Sequence, residues 1–195
     1  RSLQLKLQDA EIIKNRVPAI QYIAPRNAKG VFGGDKANIV RGQKTGSYAI
    51  YGDFPVYTKI STKKIYDGGR FINDEDIDQA RKVCVIGERT QKELFDKDEN
   101  PIGGYIRVDN IYFQVIGVHK YTPGGGFETD GAIFIPFSTY KKLYNTGNDV
   151  DFFSMAAYND ADVVKAEADV KAILKSEHHV DPNDERAFGS FNLGE

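Results

Sequence analysis

The sequence has little with which to build a covalently stapled or membrane-spanning structure. It contains one cysteine, Cys84, among 195 residues, so an intramolecular disulfide is excluded. No apolar run approaches the roughly 20 residues that a membrane-spanning helix needs. A folded chain of this length buries about 70% of the surface that its unfolded form exposes. We therefore expect a hydrophobic core to hold the chain together without disulfides or metal.

An excess of charge of either sign is also missing. The 26 basic and 28 acidic residues give a formal net charge of −2, which offers no electrostatic reason to propose a polyanion as partner. Nucleic-acid binding is therefore not expected. The chain begins at Arg1 rather than at a methionine. We interpret it as part of a larger, membrane-anchored protein that works outside the cytoplasm.

Signatures of nucleotide binding and covalent catalysis are absent too. The segment 83–88 resembles the strand, turn and helix of a nucleotide fold, but it lacks the G-x-G-x-x-G pattern. Gly124-Gly125-Gly126 is not followed by the lysine and hydroxyl residue of a P-loop. Cys84 has no histidine near it in sequence to act as a base, and we predict that it packs as a small apolar residue in a core strand.

One histidine pair raises the question of a metal site. His178 and His179 lie near Asp181 and Asp184, but adjacent residues at a helix end point about 100° apart and rarely share one ion. Histidine in the last turn of a helix also complements the helix dipole, and we favour that role. The sequence thus predicts a non-catalytic domain with no cofactor and no metal.

What the sequence does contain is a strand–helix–strand pattern at each end. Leu3, Leu5 and Leu7 alternate with polar residues before a helix to Arg16, and Phe152–Tyr158 precedes a helix that Asp160 is predicted to cap. A strand-rich middle separates the two patterns. Its clearest hairpin turns at Asp109-Asn110, and a second turn is predicted at Thr45-Gly46. Asn73 and Ser138 are each predicted to cap a helix in this middle part.

These patterns predict an α+β fold of two subdomains. Two βαβ units from the chain ends form one subdomain, and a strand-rich second subdomain is inserted between them. The predicted boundaries are 1–56 and 148–195 for the first subdomain and 57–147 for the inserted one. Within the inserted part, the loop 121–131 is a predicted partner contact, because long loops often carry contacts; the alternative is a solvated hairpin extension with no partner. The contact residues that we expect are Tyr121, Gly124, Gly125, Gly126 and Phe127.

The order of five short motifs resembles that of MacB-type permeases of ABC transporters. The resemblance runs from Gly68 through roughly 120 residues, and its last part covers Leu174–Phe188 with the histidine pair. Each motif is weak alone, and their order makes the set specific. The motifs are Gly69-Arg70-Phe71 with Val83–Gly87, Leu94-Phe95 with Asn100–Gly103, Phe113–Val118, Ile135–Thr139 and the closing segment.

The resemblance implies the extracytoplasmic core domain of such a permease, with a porter-like subdomain built from both chain ends. It also implies the domain's partners: the protein's own transmembrane helices, a cytoplasmic ATPase, a second copy in a homodimer and a periplasmic adaptor protein. The domain is then expected to transmit ATP-driven motion and to dock a periplasmic partner or substrate. Three alternatives remain open: a lipoprotein-release permease domain, a free-standing periplasmic enzyme and a ligand-binding protein.

Overall fold

A computed structural model describes residues 3–122, 128–183 and 192–194 of the chain. Helices and strands alternate irregularly, as expected for an α+β chain. In order, the elements are β1 (Leu5–Lys6), α1 (Leu7–Arg16), β2 (Ile20–Lys29), β3 (Ala37–Arg41), β4 (Lys44–Tyr48), β5 (Ile50–Asp53), α2 (Tyr57–Ile60), α3 (Asp74–Asp78), β6 (Val83–Gly87), α4 (Glu88–Leu94), β7 (Tyr105–Val108), β8 (Ile111–His119), β9 (Ile133–Pro136), α5 (Phe137–Tyr144), β10 (Asp149–Val150), β11 (Phe152–Ala157), α6 (Val163–Glu177) and β12 (Asn192–Gly194). Among the described residues, no helix has the length and apolarity needed to cross a membrane.

The chain divides into two compact units. The first comprises Arg1–Arg26, Val56–Ile60 and Thr146–Glu195, and the second comprises Asn27–Pro55 and Ser61–Asn145. The predicted boundary at residue 56 differs from this division, because residues 27–55 lie in the second unit. Backbone pairing explains the difference: β3 and β4 form a hairpin whose other neighbour is β7, and β5 pairs with β9.

The first unit is built from both ends of the chain. Strand β11 pairs antiparallel with β2, from Phe152 opposite Arg26 to Ala157 opposite Ile20, and parallel with β12. The β11–α6–β12 segment is therefore the predicted parallel βαβ unit. At the other end β1, α1 and β2 follow in the predicted order, and β1 pairs with β10 in a small separate sheet.

The sequence of helix α6 explains where the helix begins and which of its faces is buried. Its N-cap is Asp162, whose carboxylate accepts a hydrogen bond from the Lys165 backbone at 3.1 Å. The prediction that Asp160 caps this helix is therefore wrong by two residues. Ala166, Val170 and Leu174 recur at helical spacing and are buried, so they form the face with which the helix packs into the first unit.

The second unit contains a mixed sheet. Its strand order runs from the last residues of β2 through β5, β9, β6, β8, β7 and β3 to β4. The β5–β9 and β6–β8 pairs are parallel, and the others are antiparallel. The predicted hairpin is present: Asp109 and Asn110 have φ of 46° and 74°, the left-handed conformations that a tight two-residue hairpin turn requires.

The core of the second unit lies on one face of this sheet. Alternate residues of β6, β7 and β8 point into it, as their period of two dictates, and α4 adds Leu94, followed by Phe95. Cys84 is fully buried in this core, as predicted. Burial raises the pKa of its thiol, so the sulfur is neither accessible nor ionised.

Candidate partner-contact site

The predicted contact loop follows β8. Tyr121 lies two residues beyond the end of that strand and its side chain is 47% exposed. Gly124, Gly125, Gly126 and Phe127, the other residues predicted for this contact, lie outside the described residues. The described part of the loop consists of its two ends, one at Tyr121 and the other at Glu128.

Backbone hydrogen bonds fix the first end of the loop, next to Tyr121. The amide of Tyr66 donates to the Val118 carbonyl at 3.0 Å, and the amide of Lys120 donates to the Lys64 carbonyl at 2.8 Å. Ile65 and His119 form an isolated antiparallel bridge between these bonds. The segment around Ile65 thus acts as a short extra strand beside β8. Its hydrogen bonds fix the backbone just before Tyr121, where the chain leaves the sheet.

A largely buried ion pair, Lys63–Glu128, joins the second end of the loop to the segment before Ile65. Lys63 Nζ lies 3.8 Å from Glu128 Oε1, and the two side chains are 11% and 6% exposed. The Lys63 ammonium also lies 5.5 Å from the centre of the Phe134 ring. Screening is weak for a pair buried to this extent. The pair therefore restrains Glu128, the first described residue after the predicted glycine contact.

His119 is a buried polar residue close to both described ends of the loop. Its Nε2 lies 2.7 Å from the Ala132 carbonyl, and its ring packs edge-on against Phe134. Burial lowers the pKa of this imidazole, and the nearby Lys63 charge lowers it further. A neutral ring whose Nε2–H donates to Ala132 fits this environment, so His119 acts as a structural anchor.

Helix α4 holds the end of the loop from the other side. The Arg89 amide donates to the Asp130 carbonyl at 3.1 Å, and Arg89 Nε donates to the Asp130 carboxylate at 2.8 Å. Thr90 Oγ1 donates to the Gly131 carbonyl at 2.8 Å. The first of these bonds satisfies the Arg89 amide, one of the donors at the start of a helix that have no partner within it. The loop end and α4 are therefore connected directly.

A cleft of about 760 Å³ runs beside α4. Phe95, Pro101, Ile102 and Val118 give it an apolar floor, and all four belong to segments that resemble permease motifs. Its rim is charged, with acidic and basic side chains interspersed. The rim residues are Tyr66, Asp67, Glu88, Gln91, Lys92, Asp96, Lys97 and Asn100. Such a cleft can receive an apolar side chain of a partner, and no local pattern in the sequence indicates it.

The Gly69-Arg70-Phe71 motif has a structural role. Asp76 is fully buried and accepts two bonds from Arg70, at 2.7 and 3.1 Å, and one from the Asn73 amide at 2.9 Å. Burial raises the pKa of this carboxyl, but the bonds from Arg70 and Asn73 outweigh burial, so the pKa lies below its ordinary value. Asn73 also caps α3, as its sequence predicts. The arginine thus serves the fold of this segment.

The Ile135–Thr139 motif also serves the fold. Ser138 Oγ donates to the Ile77 carbonyl at 2.6 Å, and Thr139 Oγ1 donates to the Arg81 carbonyl at 2.7 Å. The N-cap of α5 is Pro136, so the expectation that Ser138 caps this helix is wrong. Its hydroxyl instead donates to the Ile77 carbonyl near the end of α3, which also accepts the Ala80 amide at 3.1 Å.

In the first unit, His178 is a hydrogen-bonding residue. It is the C-cap residue of α6, and its Nε2 lies 2.7 Å from Asp9 Oδ2, which also accepts the Lys6 amide at 2.8 Å. Asp184, one of the four residues considered for a metal, lies outside the described residues. Within the described ranges, no cluster of three or more metal-binding side chains occurs.

Comparison with known proteins decides the family. The model of the MacB-like periplasmic core domain matches residues 2–173 of the 195-residue chain. The chain belongs to this family. The resemblance drawn from five motifs is thereby confirmed. The family is one of transporter-permease domains and is not a known family of enzymes.

Curated relatives of this MacB-like domain are longer proteins. A pyoverdine export ATP-binding/permease protein, PvdT of Pseudomonas syringae pv. syringae (strain B728a), is 28% identical over 166 residues, which is 84% of the chain and 24% of the relative. A macrolide export ATP-binding/permease protein, MacB of Syntrophobacter fumaroxidans (strain DSM 10017 / MPOB), is 34% identical over 139 residues, 69% of the chain and 18% of the relative. The chain thus spans about a quarter of such proteins or less.

Solved structures confirm the fold of the MacB-like domain. The periplasmic region of MacB from Actinobacillus actinomycetemcomitans superposes with a TM-score of 0.74 at 25% identity, covering 92% of this chain and 78% of that one. The extracellular domain of the noncanonic ABC-type transporter YknZ from Gram-positive bacteria gives a TM-score of 0.77 at 18% identity, covering 92% and 87%. The predicted α+β class, with one subdomain formed by both chain ends, is confirmed.

Proposed function

We propose that this chain is a non-catalytic extracytoplasmic domain of an ABC exporter permease, which transmits ATP-driven motion and docks a periplasmic partner or substrate. The observation that carries the proposal is family membership over residues 2–173. The names of the relatives describe export proteins with ATP-binding and permease parts. The chain would supply the part of such a protein that lies outside the membrane.

The first unit supports the motion-transmitting role. Both ends of the chain belong to it, and β2 and β11, which come from opposite ends of the sequence, are neighbours in one sheet. Transmembrane helices that precede and follow the chain would therefore both attach to the same compact unit. A movement of those helices would be passed to a hydrogen-bonded sheet rather than to two independent segments.

The second unit supports the docking role. Its candidate site is the loop whose described ends are held by Lys63–Glu128 and Arg89–Asp130, together with the cleft beside α4. Loop ends that are already held in place leave less conformational entropy for binding to remove. Tyr121, with Gly124, Gly125, Gly126 and Phe127, would form the contact with a periplasmic adaptor protein. The remaining partners would be the protein's own transmembrane helices, its cytoplasmic ATPase and a second copy.

Location is the first part of the proposal to test. Val164 is 80% exposed in the first unit, and the sole cysteine of the chain is buried. Val164→Cys should therefore create a reactive thiol in a full-length protein whose other cysteines are removed. A membrane-impermeant maleimide added to spheroplasts should label it. Labelling that appears only after the membrane is opened would overturn the proposed location.

A further inference from the structure

The outer face of the β7–β8 hairpin, opposite the core, is open to solvent. Tyr105 pairs with Gln114 and Arg107 with Tyr112 across the hairpin, and these four side chains share one face because side chains alternate along a strand. Tyr105 is 54% exposed and Tyr112 is 63% exposed. Large aromatic side chains this exposed on neighbouring strands are a feature that the core does not explain.

The same outer face is covered elsewhere by the chain itself. Farther along β8, the Arg70 amide donates to the Ile116 carbonyl at 3.0 Å, and Gly69 packs so closely on Gly117 that an added Cβ would lie 2.8 Å from its Cα. Phe71 then meets Phe134 of β9, with ring centres 5.7 Å apart. Residues 69–71 therefore cover β8 at Ile116 and Gly117. Nearer the hairpin turn, Tyr105 and Tyr112 are exposed.

On the four strands that form this face, β4, β3, β7 and β8, the side chains that share it include one positive charge, that of Arg107, and no negative one. The Arg107 guanidinium lies 5.9 Å from the centre of the Tyr112 ring, and among the described residues it makes no ion pair. The carboxylate of the turn, Asp109, is occupied by Lys29 at 3.0 Å and by the Tyr144 hydroxyl at 2.8 Å. The neighbouring strands β3 and β4 add only neutral side chains to this face: Asn38, Val40, Thr45 and Ser47.

We propose that this face, centred on Tyr105, Arg107 and Tyr112, docks an acidic surface of a different, extracytoplasmic protein. Tyrosine and arginine are the residue types enriched where interface energy concentrates. A carboxylate of the partner would supply the counter-charge that Arg107 lacks, and the neutral hydroxyl and amide side chains around it would form the polar rim. The inference rests on the proposed function, because that function places the face outside the membrane.

Charge also argues against a second copy as the occupant. A two-fold contact through this face would set Arg107 against an identical cationic surface without a carboxylate on either side. Like charges placed together at an interface disfavour the wrong partner. A polyanion such as nucleic acid is disfavoured as well, because one arginine on a chain with net charge −2 provides no basic track.

Photo-crosslinking in living cells identifies the occupant. Benzoylphenylalanine would replace Tyr112 in the full-length protein, and a second strain would carry it at Lys142, an exposed position on α5. We expect a product with another protein from position 112 only, joined through a segment rich in Asp and Glu. A product between two copies of the chain, a product with lipid or glycan, the same product from both positions, or no product would overturn the proposal.

Binding of the crosslinked protein, once purified, then tests the chemistry. Arg107→Glu should weaken its affinity for the full-length protein at least tenfold, and Tyr112→Thr, which keeps a strand-forming residue, should weaken it by a similar factor. Lys142→Glu changes the charge equally and should leave the affinity unchanged. Replacing the crosslinked acidic residue by lysine should restore binding to the Arg107→Glu protein.

Equal affinities of the Arg107→Glu and wild-type proteins would refute the docking assignment. That failure is distinguishable from failure of the proposed function, because maleimide labelling of Val164→Cys from outside does not depend on Arg107. If the Val164→Cys protein is labelled from outside but the Arg107→Glu substitution does not change the affinity, the proposed function stands and the docking surface is refuted. If the protein is not labelled from outside, both proposals are refuted.

Discussion

Replacing Gly87 by alanine should shift the end of the candidate contact loop. Gly87 is the N-cap residue of α4 with φ of −82°, a conformation that alanine adopts freely. Space is the constraint: an added Cβ would lie 2.0 Å from the Asp130 carbonyl oxygen. Carbon and oxygen atoms in such contacts stay about 3.3 Å apart, so Asp130 must move by more than about 1 Å.

The cost of that movement can be estimated from its parts. Overpacking costs about 1–3 kcal/mol. The hydrogen bond from the Arg89 amide to the Asp130 carbonyl contributes about 1 kcal/mol more if the movement breaks it. A total near 3 kcal/mol should lower Tm by roughly 6–12 °C for a chain of this size. Circular dichroism gives the Tm, and hydrogen exchange at the Arg89 amide reports on the bond directly.

Gly104→Ala is the graded control for this prediction. Gly104 does not have a positive φ either, and its added Cβ would lie 3.1 Å from Phe95 Cε2 and from the Pro101 carbonyl oxygen. Neighbours need to yield only a few tenths of an ångström there, so a loss within about 1 kcal/mol is expected. A Gly87→Ala protein whose Tm and Arg89 protection both match the wild type would refute the steric argument.

Two further variants test the buried groups of the second unit. Cys84→Ser should lower stability by about 1–3 kcal/mol, because a buried hydroxyl then needs a partner, and native Cys84 should react with a thiol reagent only after unfolding; rapid labelling of the folded protein would contradict its burial. Asp76→Asn should cost about 1–3 kcal/mol through its weakened bonds to Arg70, whereas exposed Asp74→Asn should be nearly neutral. Since the pKa of Asp76 is lowered on folding from 3.8, its contribution is fully present above about pH 4 and is lost as pH falls towards the folded value. Urea titrations at pH 7 and pH 3 should therefore show a difference between wild type and Asp76→Asn that shrinks in acid, and a constant difference would contradict the shift.

Features encoded by neighbouring residues were predictable from the sequence. The Asp109-Asn110 turn and the Asn73 cap each depend on a few adjacent residues, and both are present. The predicted turn at Thr45-Gly46 is wrong: these residues lie inside β4, and the chain turns at Gly42, with φ of 60°. Gly46 instead leaves room for the Tyr48 ring, because an added Cβ would lie 2.5 Å from its hydroxyl oxygen. A glycine in a strand signals close packing as readily as a turn.

The candidate site was only partly predictable, because its contacts join distant parts of the sequence. The exposure of Tyr121 could be predicted from the glycine-rich segment that follows β8, and its role as a contact residue stays a prediction. The Lys63–Glu128 and Arg89–Asp130 pairs could not, since each joins residues more than 40 positions apart and no local pattern encodes their approach. The cleft beside α4 also joins distant segments and has no local signature. Asn100–Gly103 stands out in the sequence as a motif, but the motif does not indicate that it lines a cleft.

If ATP-driven motion reaches this domain, the distance between the domains of two copies should change when the full-length protein binds ATP. A nitroxide label at Val164→Cys, in a full-length protein with no other cysteine, reports that distance by electron–electron double resonance. We expect a dipolar signal whose distance distribution differs between the nucleotide-free protein and the protein trapped with ATP. The same distribution in both states, or no dipolar signal between copies, would rule out transmission of the motion to this domain.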